Sequence, residues 1–220
     1  MNSSSVEINE ALSALACALN DDNKIEVACQ LEILNRLGMP QTYASVAATY
    51  EFGSAHVSPR DDLAFEWYVK SAFEQDDAES YLSIARFYFY GKHVDQSFEQ
   101  FMEYCELAYE KGCHVAGINL AAYYINGDGV SIDLERAERY LKPAVAEGYV
   151  AAFALLSKIE FKRKHYFTGA KLYFHCVVET IRLGLRDPQD QKFYALKNEQ
   201  SLKKDVVLAH KESERWGSEN

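Results

Sequence analysis

Between residues 6 and 206 the apolar positions return at steps of three and four, and the strict alternation of a strand is absent, so the chain predicts helices throughout. Ile8, Leu12, Leu15 and Leu19 fall on one face of a first helix, and Ala28, Leu31 and Leu34 on one face of a second that stops before Gly38 and Pro40. From there the pattern repeats itself. Tyr50, Tyr88 and Tyr124 each stand three residues before a glycine, Gly53, Gly91 and Gly127, at spacings of 38 and 36. Trp67, Tyr104 and Tyr140 follow at spacings of 37 and 36, each with a small residue four positions on, Ser71, Ala108 and Ala144. Gly112, Gly148 and Gly184 close the units at intervals of 36.

A period of this length that holds an apolar stretch, a glycine turn, a second apolar stretch and a glycine stop is a helix hairpin, here called helices A and B, repeated end to end. Helix A turns one small or apolar face inward: Val46, Ala47 and Tyr50; Ile84, Ala85 and Tyr88; Leu120, Ala121 and Tyr124. Ser58 with Pro59 predicts the start of the first helix B, and Ser131 or Asp133 that of the third. The glycines after the tyrosines suit a chain leaving a helix through the left-handed conformation, where a Cβ is strained.

These residues resemble the Sel-one-like repeats, short relatives of the tetratricopeptide repeat. That pattern runs leucine-glycine-x-x-tyrosine, x-x-glycine, glycine-valine, then aspartate, alanine and a tryptophan-tyrosine pair before a lysine and small residues. LAAYYINGDGVSIDLERAERYLKPAVAEG follows it closely, VAATYEFG with LAFEWYVKSA follows it in the first unit, and IARFYFYG through YEKG more loosely in the second. A fourth unit keeps Ala152, Leu156 and Ala170-x-x-Tyr173 but has Glu160 and Arg163 in place of the tyrosine and glycine. The resemblance implies an all-α fold, a right-handed α/α solenoid of stacked antiparallel helix pairs with capping helices at both ends. It divides a single domain, residues 1–220, into N-terminal capping helices (1–39), repeats 40–76, 77–112, 113–148 and a degenerate 149–184, and a C-terminal cap (185–220) built on Phe193, Leu196, Leu202 and Val206. Terminal repeats need such caps because their apolar faces would otherwise meet water.

The formal net charge of −10 raises the electrostatic work of approaching phosphates, so no nucleic-acid partner is expected. The basic run Lys162, Arg163, Lys164 and His165 reads as a solvated connection between helices. Charged residues interrupt every apolar run, so no membrane-spanning segment is expected; Glu7 and Glu10 stand where a signal peptide would be basic, so the first segment is read as a helix. The five cysteines, Cys17, Cys29, Cys105, Cys113 and Cys176, form no CxxC pair and cannot all pair within one chain, which points to a reducing compartment, the cytoplasm. Secreted bacterial members of the family carry two cysteines in nearly every repeat, and only Cys105 and Cys113 echo that spacing here.

No P-loop, dinucleotide fingerprint or HExxH pair is legible, and Cys105, Cys113 and His114 lack a second cluster at zinc-finger spacing. No catalysis, cofactor or metal is therefore expected. The family's members look like scaffolds and adaptors, and stacked hairpins leave a concave surface lined by helix A residues that face away from their own helix B. Helical counting places there Gln41, Ser45 and Phe52; Ser83, Arg86 and Tyr90; Asn119 and Asn126; Lys158 and Lys162. Aromatic, amide and cationic groups in this mixture suit a protein or peptide partner, with Arg86, Lys158 and Lys162 facing an acidic segment. The chain is expected as a monomer or weak homodimer. The alternatives are a self-associating structural module and an enzyme with an unrecognised site.

Overall fold

The computed structural model describes residues 3–21, 23–37, 43–53 and 57–186. Among the described residues the chain is all helix, without strands: α1 (Ser3–Asn20), α2 (Lys24–Arg36), α3 (Tyr43–Phe52), α4 (Asp61–Glu74), α5 (Ala78–Tyr90), α6 (Phe98–Glu110), α7 (His114–Asn126), α8 (Leu134–Ala146), α9 (Val150–Lys162) and α10 (Tyr166–Arg186). They belong to two compact units, Met1–Gly112 and Cys113–Asn220, and the division falls on the boundary between the second and third repeats. In the first unit α1 pairs with α2, α3 with α4 and α5 with α6; in the second α7 pairs with α8 and α9 with α10.

The repeated aromatic and small positions form the core of each pair. Val46, Ala47, Tyr50, Ile84, Ala85, Leu120, Ala121 and Tyr124 are buried, as are Trp67 and the small residues Ser71, Ala108 and Ala144. Tyr88 stacks on Tyr104 with ring centroids 5.4 Å apart, and Tyr124 on Tyr140 at 5.9 Å, both nearly parallel. Such a pair adds about 0.5–1.5 kcal/mol beyond the area it buries. Tyr50 has a different partner, donating from its hydroxyl to the Leu19 carbonyl at 2.8 Å, which ties the first repeat to α1.

The A-to-B connection is fixed by the main chain. The residue just before each B helix donates its N–H to the carbonyl of the repeat tyrosine: Arg60 to Tyr50 at 2.7 Å, Ser97 to Tyr88 at 3.0 Å, Asp133 to Tyr124 at 3.0 Å. His165 donates in the same way to Glu160 at 2.9 Å, so the bond survives where the tyrosine does not. Gly53, Gly91 and Gly127 carry the positive φ that this turn requires, and Lys164 takes it at 65° in the fourth. Asp133 and Ser97 cap their helices by accepting from the N–H three residues on. The first B helix differs from expectation: it starts at Asp61 after Arg60, whose side chain makes no cap, and Ser58 and Pro59 lie before it. Pro59 instead packs beside Gly53, where an added Cβ would lie 3.1 Å from its ring.

Further positions depart from the sequence reading. The B-helix stop at φ 96° and 79° belongs to Gly112 and Gly148, but the first unit uses Asp76 at φ 54°, and α10 runs straight through Gly184. Gly169, not Ala170, is the small residue of the fourth B helix. Ser157 Oγ donates to its carbonyl at 2.8 Å, and a Cβ there would lie 2.9 Å from the Phe161 ring, so α10 crosses α9 closely enough that a larger residue would displace that ring. On α1 the buried seam is Ala11, Leu15, Ala18 and Leu19, while Leu12 is exposed. The C-terminal cap expected from Phe193, Leu196, Leu202 and Val206 lies outside the described residues.

Candidate functional site

In the first unit, the end of α3 and the middle of α5 meet around one buried carboxylate. Glu51 follows the repeat tyrosine, and its side chain is only 6% exposed. Arg86 of α5 brings Nη2 to 2.9 Å from Glu51 Oε2 and 3.1 Å from Oε1, while Tyr68 of α4 donates its hydroxyl to Oε2 at 2.8 Å. Ser83 hydrogen-bonds the Tyr68 hydroxyl. Burial, then the adjacent Glu51 charge and the bond to it, push the Tyr68 phenol well above the usual tyrosine range. Four residues from three helices thus form one network, with the Arg86 side chain still 41% exposed and its buried Nε without a hydrogen-bond partner among the described residues.

Helical counting selects four further residues in this unit, Gln41, Ser45, Phe52 and Tyr90. Phe52 and Tyr90 are the last residues of α3 and α5, equivalent positions of consecutive repeats, and both are exposed. Tyr90 lies edge-on to Phe89 at 4.9 Å. Ser45 is half-buried, and its carbonyl accepts from the Thr49 hydroxyl at 2.9 Å. Gln41 lies outside the described residues.

In the second unit, Lys158 of α9 donates to Asn126 Oδ1 at the end of α7, 2.6 Å away. Asn119 is half-buried about two turns earlier on α7, and Lys162 is exposed in the last turn of α9. Arg86 and Lys158 occupy equivalent places two repeats apart, and each reaches back to the A helix of the preceding repeat within its unit. Of the three cations expected to face a ligand, Arg86 is thus bound to a carboxylate that sequence counting had not placed beside it, and Lys158 to an amide.

Within the basic run, Arg163 and His165 lie against carboxylates. Arg163 Nη1 lies 2.8 Å from Glu138 and 3.4 Å from Glu160, Nη2 lies 3.6 Å from Glu135, and His165 Nδ1 lies 3.1 Å from Glu160. The bond to Glu138 raises the Arg163 pKa further. His114 meets Glu147 at 3.0 Å and Tyr149 edge-on at 6.1 Å. Among the described residues no group of three His, Cys, Asp or Glu side chains is placed to hold a metal ion. Nor is any described helix long and apolar enough to cross a membrane.

The sequence model of the Sel1 repeat family matches residues 40–72, 77–113 and 116–149, three units that leave α9 and α10 outside the match. No curated protein matches the chain. Among solved structures, a Sel1 repeat protein from Oxalobacter formigenes is similar over 90% of this chain and 89% of its own, at 16% identity and a TM-score of 0.58. That likeness supports the helix-pair fold. The protein c5321, a protective antigen of uropathogenic Escherichia coli strains with an SLR fold, aligns with 77% of this chain and 42% of its own, at 19% identity and a TM-score of 0.46.

Proposed function

Because the chain belongs to the Sel1 repeat family, whose fold commonly mediates protein–protein interaction, we propose that it is a protein-binding adaptor that contacts its partner through the exposed ends of its A helices. The observation that carries this reading is the pairing of Phe52 and Tyr90 at equivalent, solvent-exposed helix ends beside a rigid polar network. An exposed aromatic at such a position offers large apolar area at little entropic cost, and the half-exposed Arg86 guanidinium beside it is already oriented by Glu51. In the second unit Lys162 is an exposed cation in the last turn of α9, and an acidic segment of the partner is the chemistry it suits.

An odd count of five cysteines without a CxxC pair supports a reducing compartment, and the cytoplasm is the location this reading takes for the adaptor. A partner is first captured with the full chain from its native host and identified by mass spectrometry. Phe52→Ala with Tyr90→Ala, and separately Lys162→Glu, are then titrated against it. The reading requires at least a tenfold loss of affinity, about 1.4 kcal/mol, with the melting temperature held. Unchanged affinity in both variants moves the binding surface elsewhere.

A further inference from the structure

Helix α10 packs on α9 by one side. Its Gly169 carbonyl accepts from Ser157 of α9, Cys176 is buried about two turns on, and His175 lies edge-on to Phe153 of α9 at 4.6 Å. On the opposite side stand Phe167, Ala170, Phe174, Val177 and Ile181, separated by three, four, three and four residues and exposed among the described residues. That spacing is the a and d pattern of a coiled-coil seam, and at about 100° per residue these side chains leave the helix within roughly 80° of one another.

The size of the seam and its order both bear on what covers it. Phe167 and Phe174 are 86% and 69% exposed, and with Val177, Val178 and Ile181 they leave roughly 600 Å² of apolar side chain in water, the upper end of what a monomer shows. Two such faces closed on each other hide roughly 1,200 Å², enough for a specific interface. The seam also complements itself when reversed. In an antiparallel pair a positions meet d positions, so Phe174 meets Val177 of the second copy, Ala170 meets Ile181, and Phe167 meets Gly184. Every layer thus sets a bulky residue against a smaller one. A parallel pair would put Phe174 on Phe174 and Ala170 on Ala170, crowding one layer and leaving a gap in the next.

We propose that the occupant is a second copy of this chain, paired antiparallel along Phe167, Ala170, Phe174, Val177 and Ile181 about a two-fold axis that passes between Phe174 and Val177. Such an interface is isologous: the same patch serves both copies, and the pair closes without leaving a further seam to grow a filament. The partner-binding residues proposed on the A helices lie on other elements, so pairing through α10 and binding a partner are separate properties of the chain.

Sedimentation equilibrium of the full chain tests this. The mass is expected to climb from 25.0 kDa toward twice that value between about 1 μM and 1 mM, the affinities an interface at the small end of the range supports. Phe174→Asp with Val177→Asp, at positions already open to water, is expected to weaken dimerisation at least tenfold with the helical signal unchanged. Ala170→Lys and Ile181→Glu each weaken it alone, and the two together restore it, because antiparallel pairing sets residue 170 of either copy beside residue 181 of the other. This charge pair keeps the test decisive even where the aspartates disturb folding. A wild-type mass that stays at 25.0 kDa up to about 1 mM overturns the proposal and leaves the seam to another occupant. A dimer indifferent to Phe174→Asp with Val177→Asp overturns it by placing the interface elsewhere, and a double charge variant that stays monomeric overturns the antiparallel pairing.

Discussion

Arg86 Nη2 lies 2.9 Å from Oε2 of Glu51, so a cation from one repeat is held by the A helix of the repeat before it. The carboxylate is buried and the guanidinium half-exposed, which makes the pair asymmetric: Glu51 depends on its partners far more than Arg86 does. Glu51→Gln keeps the shape and removes the charge. It is expected to destabilise the chain by about 1.5–3 kcal/mol, the range for hydrogen bonds to charged groups, measured as a lower midpoint in urea. Arg86→Glu sets two carboxylates against each other and is expected to cost more than Glu51→Gln in the same assay, which is why it is a poor probe of binding.

Tyr68 makes the same network sensitive to alkali. Its folded-state pKa is raised above the unfolded value near 10, so its stabilisation is complete below about pH 10 and is lost as pH rises toward the folded value. Tyr68→Phe loses the bond to Glu51 and should be less stable at pH 7 by about 1–2 kcal/mol. The gap to wild type is expected to narrow between about pH 10 and 11, followed by denaturant unfolding at each pH. A gap that stays constant places the titrating group elsewhere.

Tyr124 is buried, stacked on Tyr140 and covered by the Arg136 guanidinium at 4.6 Å from its ring centre. Tyr124→Ala removes all three contributions and is expected to cost about 3–5 kcal/mol, the range for truncating a buried aromatic. A thermal melt monitored by circular dichroism reads this directly, and an unchanged midpoint is incompatible with the packing described.

Lys164 stands at φ 65°, where the other repeats place glycine near the same turn. The left-handed conformation costs a residue with a Cβ about 1–2 kcal/mol, partly offset by the greater freedom glycine has when unfolded. Lys164→Gly is therefore expected to stabilise by up to about 1 kcal/mol. An equal or lower melting temperature would show that the exposed lysine is held by contacts worth the strain.

The helix pairs were legible because burial acts on every repeat in the same way. Tyr88, Tyr124 and the small residues after Tyr104 and Tyr140 had to recur in phase, since each fills the same space against its own pair. What escaped were positions where a different residue meets the same backbone demand. Asp76 takes a positive φ without being glycine, and its carboxylate lies 2.6 Å from Lys111, at the corresponding end of the next B helix. The fourth B helix shifts by one residue because its loop is shorter, so Gly169 replaces Ala170 as the close-packed position, and no count of side-chain types shows that change.

The site was legible only in part, for a related reason. Helical counting finds the face of Arg86 and Lys158 but not the length of side chain that bends back along it, and so it missed Glu51 and Asn126 as their partners. Tyr68 was hidden more deeply, since an aromatic residue on helix B reads as core and its hydroxyl gives no sign of where it points. Phe52 and Tyr90 are exposed at the last positions of α3 and α5.

The N–H of the residue before each B helix reaches the carbonyl ten positions back in the first repeat, nine in the second and third, and five in the fourth. A bond between main-chain groups carries no demand on side chains, and here it spans loops of unequal length while delivering helix B to the same place. The stretch between those two anchors is thus free to lengthen or shorten without shifting the helices out of phase. For protein engineering it marks the A-to-B loops, above all the one between Gly127 and Asp133, as the places where a foreign epitope or reporter peptide can be spliced in while the repeat continues undisturbed.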